Sequence, residues 1–133
     1  ALGLPAEIGG TPVPEGLYVA CMSLATGANC AWMMYPGLSR AAMNVINLKG
    51  SDFMKAHIVP RMMEGRWGGT MCLTEAGAGS DVGALRSTAK PLGNGKYAIQ
   101  GTKIFISSGE SDLYENNIHL VLARTPAGAE GTK

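Results

Sequence analysis

The sequence has few aromatic residues, few charges and no excess of either sign. Aromatic side chains make up 6% and charged side chains 16% of its 133 residues, and 11 basic residues face 10 acidic ones. No basic surface for a nucleic acid is therefore indicated. No apolar run reaches the roughly 18 residues of a membrane helix, and no basic segment leads into an apolar one at the start. We expect no nucleic-acid partner, no membrane span and a cytoplasmic location.

Paired cysteines and metal-binding spacings are absent as well. The three cysteines, Cys21, Cys30 and Cys72, are an odd number, and the two histidines lie far from them in the sequence. Such thiols are more often buried and reduced than ligands of a metal. We expect no metal site.

What the sequence does contain in its first half is helical periodicity. Pro14 and Glu15 suit a first helical turn, and Lys49 and Gly50 suit a helix end. Ser51 or Asp52 then suits the start of the next helix. The pattern predicts helices over residues 15–35, 38–48 and 52–64, of which the first is expected to be buried. His57 and the methionines are interpreted as packing residues.

After a glycine-rich segment at residues 64–69 the periodicity becomes that of strands. Gly93-Asn94-Gly95 is a hairpin signal, and the last strand is apolar on both faces and so expected to be interior. Strands are predicted at residues 70–73, 87–92, 96–100, 103–107 and 117–124. We therefore predict an α+β fold, in which a helical segment (1–66) precedes an antiparallel β-barrel or sandwich (67–133).

Residues 71–81, Met-Cys-Leu-Thr-Glu-Ala-Gly-Ala-Gly-Ser-Asp, form the most distinctive stretch. Small residues let backbone lie directly against a ligand, and Gly77 and Gly79 can take positive φ and direct N–H groups into one concavity. Thr74 and Ser80 add hydroxyl donors. A phosphate or the polar edge of a ring would suit such a loop, although an ordinary glycine-rich turn remains an alternative.

Common nucleotide and hydrolase signatures do not fit this stretch. Val82 occupies the position of the third glycine in a dinucleotide fingerprint, and no lysine lies between Lys55 and Lys90 to complete a phosphate loop. Ser80 is flanked by Ala78 and Val82 where a nucleophile elbow requires glycines.

The stretch instead resembles the flavin-binding segment of the acyl-CoA dehydrogenases, which reads Leu-Thr-Glu-Pro-x-Ala-Gly-Ser-Asp. Ala76 replaces the proline. A second string of that family, Gly-x-Lys-x-Trp-Ile-Thr-Asn-Gly, is similar to residues 101–109, where Phe105 stands for tryptophan and Ser107 for threonine. Both replacements keep an aromatic face or a hydroxyl. Two strings at the family's spacing are more specific than either one alone.

The resemblance implies a flavoprotein with FAD as its cofactor and an acyl-CoA as its substrate. It implies oxidation to a trans-2-enoyl-CoA with hydride transfer to the flavin. Ser80 would also contact the substrate, while Glu75 and Asp81 are expected to fix loop geometry. The implied cofactor contacts are Met71, Cys72, Leu73, Thr74, Gly79, Ser80, Phe105, Ile106 and Ser107.

The same resemblance places the chain within a longer protein. Residues 1–66 would end an N-terminal helical domain and residues 67–133 would begin a middle β-domain. No residue matches the family's catalytic glutamate, so the 133 residues alone are expected to be inactive. An electron-transfer flavoprotein as electron acceptor, a homo-oligomer and a role in fatty-acid β-oxidation are implied for the whole enzyme.

The acidic loop at residues 110–120 resembles the methylmercaptopropionyl-CoA dehydrogenase-like subgroup. Two alternatives to a dehydrogenase stay open at this point. One is an acyl-CoA oxidase, and the other is a non-catalytic flavin-binding relative of the same fold.

Overall fold

The computed structural model describes residues 2–128 and shows the expected α+β architecture, with helices first and strands after them. Four helices are present in the described part: α1 (Glu15–Ala28), α2 (Cys30–Lys49), α3 (Asp52–His57) and α4 (Val59–Met63). Four strands follow: β1 (Trp67–Cys72), β2 (Thr88–Gly93), β3 (Lys96–Gln100) and β4 (Asn116–Val121). Two short 3-10 helices cover Ala6–Ile8 and Val82–Ala84.

The first helical region divides where the sequence supplies a new cap. The side chain of Asn29 accepts a hydrogen bond from the Trp32 N–H at 2.9 Å, so that α2 begins at Cys30. The predicted break at Pro36-Gly37 is wrong, because α2 continues through Pro36 to Lys49. A proline costs one helical hydrogen bond, and the burial of Ala42, Met43 and Ile46 on the same helix offsets that loss.

Other helix boundaries follow the sequence closely. Helix α1 begins at Glu15, α2 ends at Lys49 before Gly50, and the Ser51 hydroxyl caps α3 by accepting from the Met54 N–H at 3.3 Å. The predicted helix at 52–64 is divided into α3 and α4, with Pro60 in the first turn of α4.

The prediction that the first helix is buried is wrong. None of the residues of α1 is buried, and Leu24 is 77% exposed. In the described part, α2 is the only helix or strand that packs against α1. His57 is also exposed, and its ring stacks on Phe53 rather than packing inside the core. The helical core instead contains Leu4, Ala42, Met43, Ile46, Val59 and Met62.

The strands of the described residues form two two-stranded sheets, β1 with β4 and β2 with β3. The hairpin prediction is confirmed: β2 and β3 are antiparallel, and Gly93, Asn94 and Gly95 all have positive φ. The predicted strand at 103–107 is wrong, because this segment is irregular. The interior position predicted for the last strand is wrong too, since no residue of β4 is buried.

The chain divides into two compact units. The first unit contains residues 2–70 and 107–119 of the described chain, and the second contains residues 71–106 and 120–128. The domain boundary predicted between residues 66 and 67 stays a prediction. None of the described helices is long and apolar enough to cross a membrane.

Candidate functional site

The stretch at residues 71–81 lies in the second unit. It contains the end of β1 and then a tight turn at residues 75–78. The N–H of Glu75 donates to the carbonyl of Ala78, and the N–H of Ala78 donates back to Glu75, both at 3.0 Å. Ala78 is buried, whereas Ala76 and Gly77 lie exposed at the tip. The turn therefore presents backbone rather than side chains to its surroundings.

Gly77 and Gly79 do not take the positive φ that the sequence suggested. A Cβ atom at either position would meet no atom of the described chain within 4 Å. Neither backbone strain nor internal packing thus requires glycine there. The open space beside both positions would let a ligand such as a flavin approach the backbone closely.

Glu75 fixes the geometry of this loop from inside, as the sequence predicted for it. Its carboxylate accepts hydrogen bonds from the N–H groups of Arg86 (2.7 Å) and Ser87 (3.0 Å) and from the Lys103 ammonium (2.8 Å). The hydrogen bonds from Lys103, from the Ser87 hydroxyl and from the Arg86 N–H hold the pKa of Glu75 well below its ordinary value of 4.5. An ionised carboxylate held in this way is a structural anion and not a free base.

Lys103 connects the two strings that the sequence singled out. Its Nζ donates to the Leu73 carbonyl at 2.9 Å and to Glu75 Oε1 at 2.8 Å. Next to it, the N–H of Ile104 donates to the Thr74 carbonyl at 3.0 Å. The side chains of Lys103 and Glu75 are only 11% and 10% exposed. Residues 73–75 of the first string and residues 103–104 of the second consequently lie against each other within the second unit.

Phe105 has an unusual conformation for an aromatic residue. Its φ is +56°, in the left-handed region that bulky side chains rarely adopt, and its side chain is largely in solvent, with the residue 89% exposed. Strain of this kind concentrates at functional sites, where surrounding contacts maintain it. The ring is available as a flat apolar wall.

The other predicted cofactor residues differ in their exposure. Cys72 is buried; Gly79 and Ser80 are exposed; Met71, Leu73, Thr74 and Ile106 are half-buried. These residues all belong to the second unit, whereas Ser107 belongs to the first and is half-buried there.

In the first unit, Ser108 also has a positive φ of +59°, and no described residue hydrogen-bonds to its buried hydroxyl.

A cleft of about 230 Å³ opens beside the Ala76–Gly77 tip. It is lined by Glu75, Ala76, Gly77, Ala84, Arg86 and Thr102. Its polar lining residues are of both kinds, since Arg86 and Thr102 carry donor groups and Glu75 carries a carboxylate. The described residues contain no group of three or more histidine, cysteine or acidic side chains that could hold a metal ion.

Sequence reasoning missed the roles of two residues: Lys103 joins the two strings, and Gly101 packs so closely on Ser87 that an added Cβ atom would lie 2.7 Å from the Cβ of Ser87. Both are letters of the second string, which was interpreted through its aromatic and hydroxyl positions only. Their roles depend on Glu75, Leu73 and Ser87, which lie at least 14 residues away in the sequence. A test for charge pairing between the two strings would have identified the lysine.

Comparisons with known proteins show which family the chain resembles. The family profile "Acyl-CoA dehydrogenase, middle domain" matches residues 70–133. The chain is 45% identical over its full length to 3-methylmercaptopropionyl-CoA dehydrogenase of Ruegeria pomeroyi, covering 23% of that relative. It is 43% identical to the broad-specificity linear acyl-CoA dehydrogenase FadE5 of Mycobacterium tuberculosis, covering 99% of this chain and 21% of the relative. The chain thus spans less than a quarter of the length of these relatives.

A solved structure has a fold similar to that of this chain. A chain in the structure described as the electron transferring flavoprotein of Acidaminococcus fermentans matches with a TM-score of 0.72 and 27% identity. The match covers 81% of this chain and 28% of the other.

Proposed function

Because the chain belongs to the acyl-CoA dehydrogenase family, we propose that it forms part of a FAD-dependent enzyme that oxidises an acyl-CoA to a trans-2-enoyl-CoA. One observation carries the proposal beyond the family match. The two strings are joined by Lys103 and by the Ile104–Thr74 backbone bond, and they leave Phe105 exposed beside them. Such an arrangement would allow hydroxyls, amides and an aromatic face to contact one flat ligand.

The residues of the second unit suit a flavin in chemistry as well as in space. A bound flavin supplies the acceptor for the hydride that leaves the substrate. Thr74 would donate to a polar atom of the ring, and Phe105 would cover an apolar face and exclude water from it. The N–H groups near Gly79 and the Ser80 hydroxyl would stabilise negative charge at the ring edge. Ser80 would also contact the substrate, and Ser107 stays a predicted cofactor contact.

The base that removes the substrate proton is not among these residues. The hydrogen bonds from Lys103, Ser87 and Arg86 lower the pKa of Glu75 and occupy its carboxylate oxygens. Glu75 is therefore a weak base and is unsuited to that role. Accordingly, we expect the 133 residues alone to show no turnover. The base would come from another part of a longer polypeptide.

The proposal extends to the organisation of the whole enzyme. Residues 1–66 would end a helical domain and residues 67–133 would begin the flavin-binding middle domain. The whole enzyme would work in the cytoplasm as a homo-oligomer in fatty-acid β-oxidation. It would pass electrons to an electron-transfer flavoprotein, a proposal supported by the similarity to a chain in an electron transferring flavoprotein structure.

Spectroscopy of the full-length enzyme tests the reaction. We expect a yellow protein whose flavin absorption is bleached under anaerobic conditions by a straight-chain acyl-CoA. An acyl-CoA that carries no hydrogen on its β-carbon serves as the matched control and should leave the absorption unchanged. Bound FAD without bleaching by any acyl-CoA would contradict the proposal and favour a non-catalytic relative. Hydrogen peroxide formed in air at the rate of substrate oxidation would indicate an oxidase.

Substitution of Gly77 tests the location of the flavin. Gly77→Val should lower FAD affinity, because a Cβ atom at this position meets no atom of the described chain within 4 Å and the added side chain would occupy the space proposed for the flavin. Gly27→Val is the matched control, since Gly27 in α1 also has no neighbour within 4 Å. Equal FAD affinities of the two variants would argue against a flavin at this turn.

A further inference from the structure

We propose that Lys103 is a positioning residue for the flavin site: its ammonium fixes the Leu73 carbonyl and the Glu75 carboxylate and thereby places the Thr74 hydroxyl and the Phe105 ring. This inference rests on the function proposed above. It assigns to Lys103 a task in holding the cofactor that does not require it to touch the cofactor.

The lysine holds the residues on both sides of Thr74 at once. One hydrogen bond goes to the carbonyl of Leu73 and another to the carboxylate of Glu75. Thr74 itself accepts, through its carbonyl, the N–H of Ile104. Three consecutive residues of the first string are therefore fixed by two consecutive residues of the second.

The same contacts control the residue that follows. Phe105 takes its strained φ of +56° directly after Ile104, whose N–H is held by Thr74. A residue keeps such a conformation only when its surroundings over-determine it. Weakening the lysine contacts should allow the segment to relax and the ring of Phe105 to turn away.

Burial makes the lysine difficult to replace. With the Lys103 and Glu75 side chains 11% and 10% exposed, water does not readily substitute for a lost partner. Without the ammonium, Glu75 keeps only its donors at Arg86 and Ser87, and the Leu73 carbonyl loses the donor that Lys103 supplies. A change at residue 103 would consequently move the cofactor contacts.

The test measures FAD binding and the visible flavin spectrum in full-length Lys103→Met and Lys103→Arg variants. Lys103→Met should raise the Kd for FAD by about 10–100-fold, the loss that follows removal of an orienting partner at metal sites, and should shift the visible absorption band. Lys103→Arg keeps the charge and should recover part of the affinity.

Two controls separate positioning from general effects. Lys96→Met removes an equal charge from the exposed strand β3. Val59→Ala lowers stability at a residue that is 2% exposed in the first unit. Both variants should keep the Kd within about twofold of the wild type, although Val59→Ala should melt at a lower temperature.

A double variant keeps the test decisive if Lys103→Met does not fold. Glu75→Gln with Lys103→Met leaves no unpaired charge and should fold, yet it should still bind FAD weakly because the donor to Leu73 is missing. Wild-type affinity and an unshifted spectrum in Lys103→Met or in the double variant would overturn the inference and leave the proposed function intact. Equal FAD loss in Val59→Ala would overturn it as well. A wild-type enzyme that binds no FAD would overturn both proposals.

Discussion

Gly101→Ala should destabilise the chain, because position 101 has neither the space nor the backbone conformation for a methyl group. The φ of Gly101 is +148°. A Cβ atom there would lie 2.7 Å from the Cβ and 2.8 Å from the Cα of Ser87, which is only 2% exposed. Ser87 donates its N–H to Glu75, so a shift of Ser87 would also loosen the contacts of that carboxylate.

The expected loss of stability in Gly101→Ala has two contributions. A non-glycine residue in such a φ region costs of order 1–3 kcal/mol. Inserting a methyl group into well-packed surroundings costs about 1–3 kcal/mol more. We expect the free energy of unfolding to fall by about 3 kcal/mol, which moves a urea midpoint by roughly 1.5 M if the slope is about 2 kcal/mol/M.

Urea unfolding followed by circular dichroism measures this change directly. Gly77→Ala is the matched control, because a Cβ at residue 77 meets no atom within 4 Å and its φ is not positive. Its midpoint should stay within about 0.3 M of the wild type. Equal midpoints for Gly101→Ala and Gly77→Ala would refute the argument from space and φ.

Three further predictions concern single residues. Since the pKa of Glu75 in the folded state lies below its ordinary value of 4.5, the contribution of Glu75 to stability is present above about pH 4.5 and is lost as the pH falls further. Below pH 4.5 the urea midpoint of the wild type should therefore fall more steeply than that of Glu75→Gln. Phe105→Asn should raise the free energy of unfolding by about 0.5–1 kcal/mol, because asparagine tolerates a left-handed φ, and a lower stability would contradict this reasoning. The same substitution should lower the FAD affinity of the full-length enzyme. Met62→Ala, at a position that is 6% exposed, should lower the free energy of unfolding by about 2–4 kcal/mol in the same urea assay, whereas Met54→Ala, at 43% exposure, should lower it by less than about 0.5 kcal/mol. Equal losses in the two variants would show that burial does not determine the loss of stability.

Features encoded by neighbouring residues were predictable from the sequence. The start of α1 at Glu15, the end of α2 at Lys49 and the cap at Ser51 all follow from local capping chemistry. The hairpin between β2 and β3 follows from Gly93-Asn94-Gly95.

Features set by distant contacts were not predictable in the same way. The β-branched and aromatic residues Ile104, Phe105 and Ile106 favour a strand. The pairing of Lys103 with Glu75, 28 residues away, and the left-handed φ of Phe105 produce an irregular segment instead. Likewise, the continuation of α2 through Pro36 depends on burial of residues that lie further along the helix. For the candidate site, the sequence indicated the two strings that lie together but not the lysine that joins them.

The hairpin of β2 and β3 has a practical consequence for handling the chain. In the described residues no third strand pairs with β3, whose Tyr97 and Ile99 are 52% and 57% exposed. A free strand edge with apolar side chains can add the edge of another molecule, and this reaction leads to aggregation. Preparations of these 133 residues by themselves should be kept dilute, and a lysine at Ile99 would be the first change to make for solubility.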